Sequence, residues 1–94
     1  MKKPDIVKVR YDGDVHLVMD AHRRDVREYA VYRDGRYIGR TKDNIYIDGD
    51  VSVGNVYAYF VRINGDKAYQ SDPVEVEVSN KGALVTPCIF SYEL

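Results

Sequence analysis

Tyr29-Ala30-Val31-Tyr32-Arg33-Asp34-Gly35-Arg36-Tyr37-Ile38-Gly39 is the stretch that decides the fold. Two β-prone runs flank Asp34-Gly35, and both turn positions tolerate the positive φ that a two-residue hairpin demands. The stretch therefore reads as a strand over 29–33, a tight turn, and a strand returning over 37–41. A helix over 20–32 conflicts with its own pattern, because Val26, Tyr29 and Val31 do not share one stripe.

The same pattern extends in both directions. Toward the N-terminus, Val7 to Tyr11 alternates, Asp12-Gly13-Asp14 turns, and Val15 to Met19 alternates again. Residues 20–28 are polar and charged and read as a loop. Toward the C-terminus, Asn44 to Asp48 is a short strand, and Gly49 to Asn55 is a loop. Val56 to Ile63 is the longest apolar run, expected to be a central strand covered on both faces. Asn64-Gly65 opens a further turn, and Val74-Glu75-Val76-Glu77-Val78 places valines on one face and glutamates on the other. Short strands separated by turn residues at close spacing predict an all-β sandwich or barrel.

Bulk properties narrow the class. Ninety-four residues hold one domain with one modest core. A net charge of −1 gives no general attraction to nucleic acid or to an anionic membrane surface. No stretch approaches the roughly 20 apolar residues of a membrane span. The basic start, Met1-Lys2-Lys3, has no apolar segment behind it, so the chain is expected either to lack an export signal or to be cut from a longer one. Cys88 stands alone, which rules out an internal disulfide and predicts a free thiol. Nine tyrosines against two phenylalanines and no tryptophan suit half-buried strand positions, where the ring packs and the hydroxyl stays wet.

Residues 29–39 resemble the C–C′ hairpin of bacterial and phage fibronectin type III domains. Tyr46, Asp48 and Val51 fall at the spacing of that family's E strand and following loop. Val51-Ser52-Val53-Gly54-Asn55-Val56-Tyr57 resembles its Leu-x-Pro-Gly-Thr-x-Tyr corner. Residues 57–62 resemble strand F, and 71–76 resemble strand G. The resemblance covers about residues 4–78. It implies a seven-stranded immunoglobulin-like sandwich over 1–78 with a short C-terminal extension over 79–94. It also implies structural roles for Met19, Tyr29, Val31, Tyr46, Val51, Tyr57, Tyr59 and Val61, with the Tyr57 hydroxyl tied to the backbone of the loop before it. Met19 stands where the family has a tryptophan, and Val53 where its corner has a proline.

Constellations for catalysis are missing from the sequence. His16 lies in a strand and His22 in a loop. The serines sit in no nucleophile-elbow context, and no glycine-rich phosphate loop occurs. Asp12, Asp14, Asp34, Asp48 and Asp50 are expected at one pole of the sandwich. Hard oxygens on several loops are what Ca²⁺ needs, but their spacing matches no EF-hand, and they read as turn residues. No cofactor and no metal are expected. At the other pole Asn64-Gly65-Asp66 occupies the loop where adhesive members of the family carry an integrin tripeptide. Without the arginine it reads as a turn, and it is kept as a candidate contact.

The expected function is a non-catalytic structural or adhesive module with protein partners: assembly neighbours or further copies of itself. A phage virion is the expected setting, with the extracellular space or a cell surface as the alternative. In the second setting the chain is an accessory domain of a secreted carbohydrate-active enzyme, and surface glycans join the partner list through tyrosines such as Tyr32, Tyr37 and Tyr69. Residues 79–82 read as a linker. The apolar residues that follow, Ala83, Leu84, Val85, Ile89, Phe90 and Tyr92 among them, are expected either to fold back as a strand or to dock on a neighbour.

Overall fold

The computed structural model describes residues 2–20, 24 and 26–87. Among them there is no helix, and eight strands form two antiparallel sheets. The strands are β1 (Ile6–Tyr11), β2 (Val15–Met19), β3 (Tyr29–Arg33), β4 (Arg36–Thr41), β5 (Ile45–Asp48), β6 (Val56–Ile63), β7 (Val74–Ser79) and β8 (Gly82–Thr86). One sheet has the order β1-β2-β5, and the other β4-β3-β6-β7-β8.

Alternation decides what each strand buries. Val15, Leu17 and Met19 of β2 face inward, as do Tyr59, Val61 and Ile63 of β6 and Val74, Val76 and Val78 of β7. Together with Ile6, Val9, Tyr29 and Val31 they form one apolar cluster drawn from both sheets. Burial of this kind stabilises by about 1.5–3 kcal/mol per large side chain. The β6 strand departs from the expectation of cover on both faces. Its neighbours β3 and β7 make it central in the sheet, but only every second residue is buried.

The turn at Asp34-Gly35 has φ values of 52° and 82°, the doubly positive geometry that favours glycine at the second position. The Asp34 amide donates to Ala58 O at 2.7 Å, and its carboxylate accepts from the Ala58 amide at 2.8 Å, which fixes the hairpin tip to β6. At the opposite pole the side-chain oxygen of Asn64 accepts from the amides of Arg27 and Glu28 at 2.8 and 3.1 Å. Val56 to Val61 thus lies between two anchored loops.

Strand β5 is inverted relative to hydrophobicity. Ile45 and Ile47 are 46% and 54% exposed, while Asp48 is 5% exposed and Tyr46 is half-buried. Tyr46 reaches across to β4 and donates to Ile38 O at 3.1 Å. It lies so close over Gly39 that a Cβ there would overlap the phenol. Strand β5 therefore faces the way its polar residues need.

Residues 79–82 form a hairpin turn where the sequence suggested a linker. Asn80 and Lys81 join β7 to β8, and the Ser79 hydroxyl both donates to Gly82 O at 3.0 Å and accepts from the Lys81 amide at 3.2 Å. The eighth strand runs back along β7. Ala83 and Val85 pack against the core, Leu84 points outward at 63% exposure, and β8 approaches β1 of the other sheet. It thereby covers the edge that β7 would otherwise leave open.

Leu17→Ala should lower unfolding free energy by about 2–5 kcal/mol, and Ile47→Ala by no more than about 0.5 kcal/mol. Urea denaturation checks this. Equal losses at the two positions would contradict the inverted facing of β5.

Candidate interaction surfaces

A catalytic or metal site would draw on buried polar groups. Asp48 of β5 is held by both partners from the opposite sheet. Arg33 Nη1 lies 2.8 Å from each carboxylate oxygen, and the Tyr59 hydroxyl donates to Asp48 Oδ2 at 2.6 Å. Arg33 Nη2 reaches Asp50 at 3.2 Å, and the Asp50 amide donates to Asp48 at 3.1 Å. Burial alone would raise the Asp48 carboxyl. The hydrogen bonds from Tyr59 and Arg33 outweigh it and hold the group below its ordinary 3.8. Burial first, then the neighbouring carboxylate, pushes the Tyr59 phenol far above 10.0. The Arg33 guanidinium is raised by its bond to Asp48. These three groups satisfy one another, and every buried side-chain nitrogen or oxygen among the described residues has a partner.

The acidic loop residues gather at this pole but are spent individually. Asp12 bonds His16 at 2.8 Å, Asp34 holds β6, and Asp48 is enclosed. Among the described residues no three His, Cys, Asp or Glu side chains come together as a metal site. Beside them the Tyr57 hydroxyl accepts from the Ser52 amide at 2.9 Å and from Asn55 Nδ2 at 3.1 Å, tying the β5–β6 loop to the start of β6. Val51 packs against the core from that loop.

The residues expected to bind divide into three groups. Asn64 holds two loops together, Gly65 carries a φ of 72°, and Asp66 accepts from the Ala68 amide at 2.9 Å, so this tripeptide folds its own loop. Ala83 and Val85 face inward and Leu84 outward. Ile89, Phe90 and Tyr92 lie outside the described residues. Met19, Tyr29, Val31, Tyr59 and Val61 are buried, and Tyr46, Val51 and Tyr57 pack at the margin of the core.

Two outer faces remain. On the five-stranded sheet Tyr32 stacks on Phe60 at 4.7 Å, the Arg62 guanidinium lies 4.4 Å from the Tyr32 ring centre, and Tyr37 packs edge-on at 5.8 Å. Arg62 is fixed further by Gln70 at 2.9 Å. Next to this cluster, the pairing register places Val56 and Leu84 on either side of Glu77, and Ala58 and Thr86 on either side of Glu75. On the three-stranded sheet the register gives the rows Lys8–Val18–Ile45 and Arg10–His16–Ile47. Lys8, Arg10, His16, Val18 and Ile45 line a depression of about 210 Å³. Sequence reasoning missed this face. The available signal was the spacing of Ile45 and Ile47 opposite Tyr46 and Asp48. Comparison with family models, curated proteins and solved structures finds no match.

Asp48 and Tyr59, shifted in opposite directions, predict opposite pH limbs. The depressed Asp48 contributes stability that is full above the unfolded carboxyl value and lost as pH falls through the lower folded one. The raised Tyr59 contributes stability that is full below pH 10 and lost as pH rises beyond it. Asp48→Asn should cost about 3 kcal/mol near neutrality by leaving Arg33 poorly paired, with the deficit shrinking below about pH 4. Tyr59→Phe should flatten the alkaline limb. Denaturation midpoints across pH test both, and a constant Asp48→Asn deficit down to pH 2 would exclude this account.

Proposed function

We propose that the chain is a non-catalytic protein-interaction module with an immunoglobulin-like, fibronectin type III arrangement, and that it binds through the outer face carrying β8. The supporting observation is the added strand itself. Strand β8 extends the sheet beyond β7 and leaves Leu84 the most exposed large apolar side chain among the described residues. Large exposed apolar groups beside charged ones mark contact surfaces more than isolated ones do. Val56, 54% exposed, stands on the same face across Glu77.

The fibronectin type III reading draws on the strand order, on the tie between Tyr57 and Ser52, and on Met19 filling the core. The non-catalytic reading draws on the mutual engagement of Arg33, Asp48 and Tyr59. An assembly surface, such as that of a phage virion, is the setting such a module suits. The glycan reading draws on Tyr37, 55% exposed at the end of the aromatic row. Tyr32 supports it less, because its ring already stacks on Phe60.

Because Ala83 and Val85 belong to the core margin, removing 83–94 would damage the fold along with any contact. Two gentler changes separate these effects. A chain ending at Pro87 and the variant Leu84→Asp should both keep the wild-type circular dichroism spectrum. A photo-crosslinking amino acid at position 84 should yield one discrete protein adduct in the producing system, whereas the same group at Val53, in the β5–β6 loop, should not. Identical labelling at 84 and 53, or none at 84, would refute the proposal.

A further inference from the structure

The β7–β8 edge of the five-stranded sheet, with its acidic pair beside Leu84, complements the cationic β1 beside Val18, and we propose that the partner of this edge is the β1-β2-β5 face of a second copy of this chain. This rests on the reading of the β8 face as the contact surface and names its partner. On one face Lys8 and Arg10 stand two residues apart on β1, which places them about 7 Å apart. On the other, Glu75 and Glu77 stand two residues apart on β7, at the same spacing. All four are exposed. Lys8, Glu75 and Glu77 enter no ion pair among the described residues, and Arg10 makes only a 3.9 Å approach to Asp12.

The apolar residues repeat this match on one side of each strand. Beside the cationic strand run Val18, Ile45 and Ile47. On either side of the acidic strand stand Val56 and Leu84. Leu84 projects from its face at 63% exposure, while the depression between Lys8, Val18 and Ile45 offers a site on the other. Docking Glu75 and Glu77 over Arg10 and Lys8 lays β8 over β2 and brings Leu84 onto Val18 at the depression.

The faces belong to different sheets on opposite sides of the core, so using one leaves the other free on each copy. The contact is heterologous and propagates as an open stack, with no closed pair. The overlap of β7 and β8 with β1 and β2 makes a small interface, below the size of stable complexes, so association is weak and concentration-dependent. Its ionic part weakens as salt shortens the screening length.

Sedimentation velocity on the full chain tests the proposal. At about 20 mM salt the weight-average sedimentation coefficient should rise with protein concentration, and at about 500 mM it should fall back toward the monomer. Lys8→Glu with Arg10→Glu, or Glu75→Lys with Glu77→Lys, should each lower the association constant at least about tenfold. Mixing the two double variants, or combining all four changes in one chain, should restore association. Exposed strand positions tolerate such changes, and circular dichroism confirms that each variant is folded. A wild-type chain that stays monomeric at low salt, or a mixture that fails to reassociate, would overturn the proposal. The photo-crosslink at 84 separates the two levels of inference. An adduct on a second copy near Lys8 supports both, and an adduct on a different protein keeps the module and removes the self-contact. No adduct removes both.

Discussion

A buried carboxylate with donors on the facing sheet fixes how the two layers of this fold meet. Asp48 leaves water on β5, and its partners Arg33 and Tyr59 come from β3 and β6. A paired buried charge adds little net stability over an apolar substitute, because desolvation offsets most of the attraction. Its influence lies in what it forbids. Any displacement of β5 that separates Asp48 from its two donors leaves a charge in the core, which costs several kcal/mol. Leucine and valine contacts tolerate sliding far better. The trio therefore selects one alignment among the many that the apolar core alone would accept.

That selection has a consequence on the outside. A strand alternates with period two, so turning Tyr46 and Asp48 inward turns Ile45 and Ile47 outward. The three-stranded sheet gains an apolar outer surface because its inner surface needed a carboxylate and a phenol. Lys8 and Arg10 on β1, across β2, complete a cationic, apolar face. Strand β8 does the reverse on the other sheet. Its small Ala83 and its Val85 close the core, and Leu84 is left beside Glu77. Both surfaces follow from inward choices made on the same strands.

Much of the fold was legible in the sequence where local chemistry is strong. Asp34-Gly35 marked its turn, the valines of 74–78 marked their inward face, and 15–19 marked the other. Two kinds of information were not local. Asp48 has the sequence look of a turn residue. Its burial depends on Arg33 and Tyr59, 15 and 11 positions away, and no spacing rule encodes that pairing. Residues 79–82 have linker composition, yet they turn because Ala83 and Val85 find a place beside β7. Ala30 gives the same lesson on the outer face. It is buried although it points away from the core, because register sets it between Arg40 and Arg62, whose long stems can cover it.

The candidate surfaces were the least legible part, and the reason is electrostatic bookkeeping over distance. A net charge of −1 conceals a local separation of sign, a cationic pair on β1 and an acidic pair on β7. The unpaired cation at Lys8 and the unpaired anions at Glu75 and Glu77 lie far apart in sequence and on different sheets. With so small a net charge, copies feel little long-range repulsion, and the arrangement of charge outweighs its total. The acidic pair of β7 and the cationic pair of β1 let two copies meet head to tail, and the exposed isoleucine and leucine set how closely those strands approach.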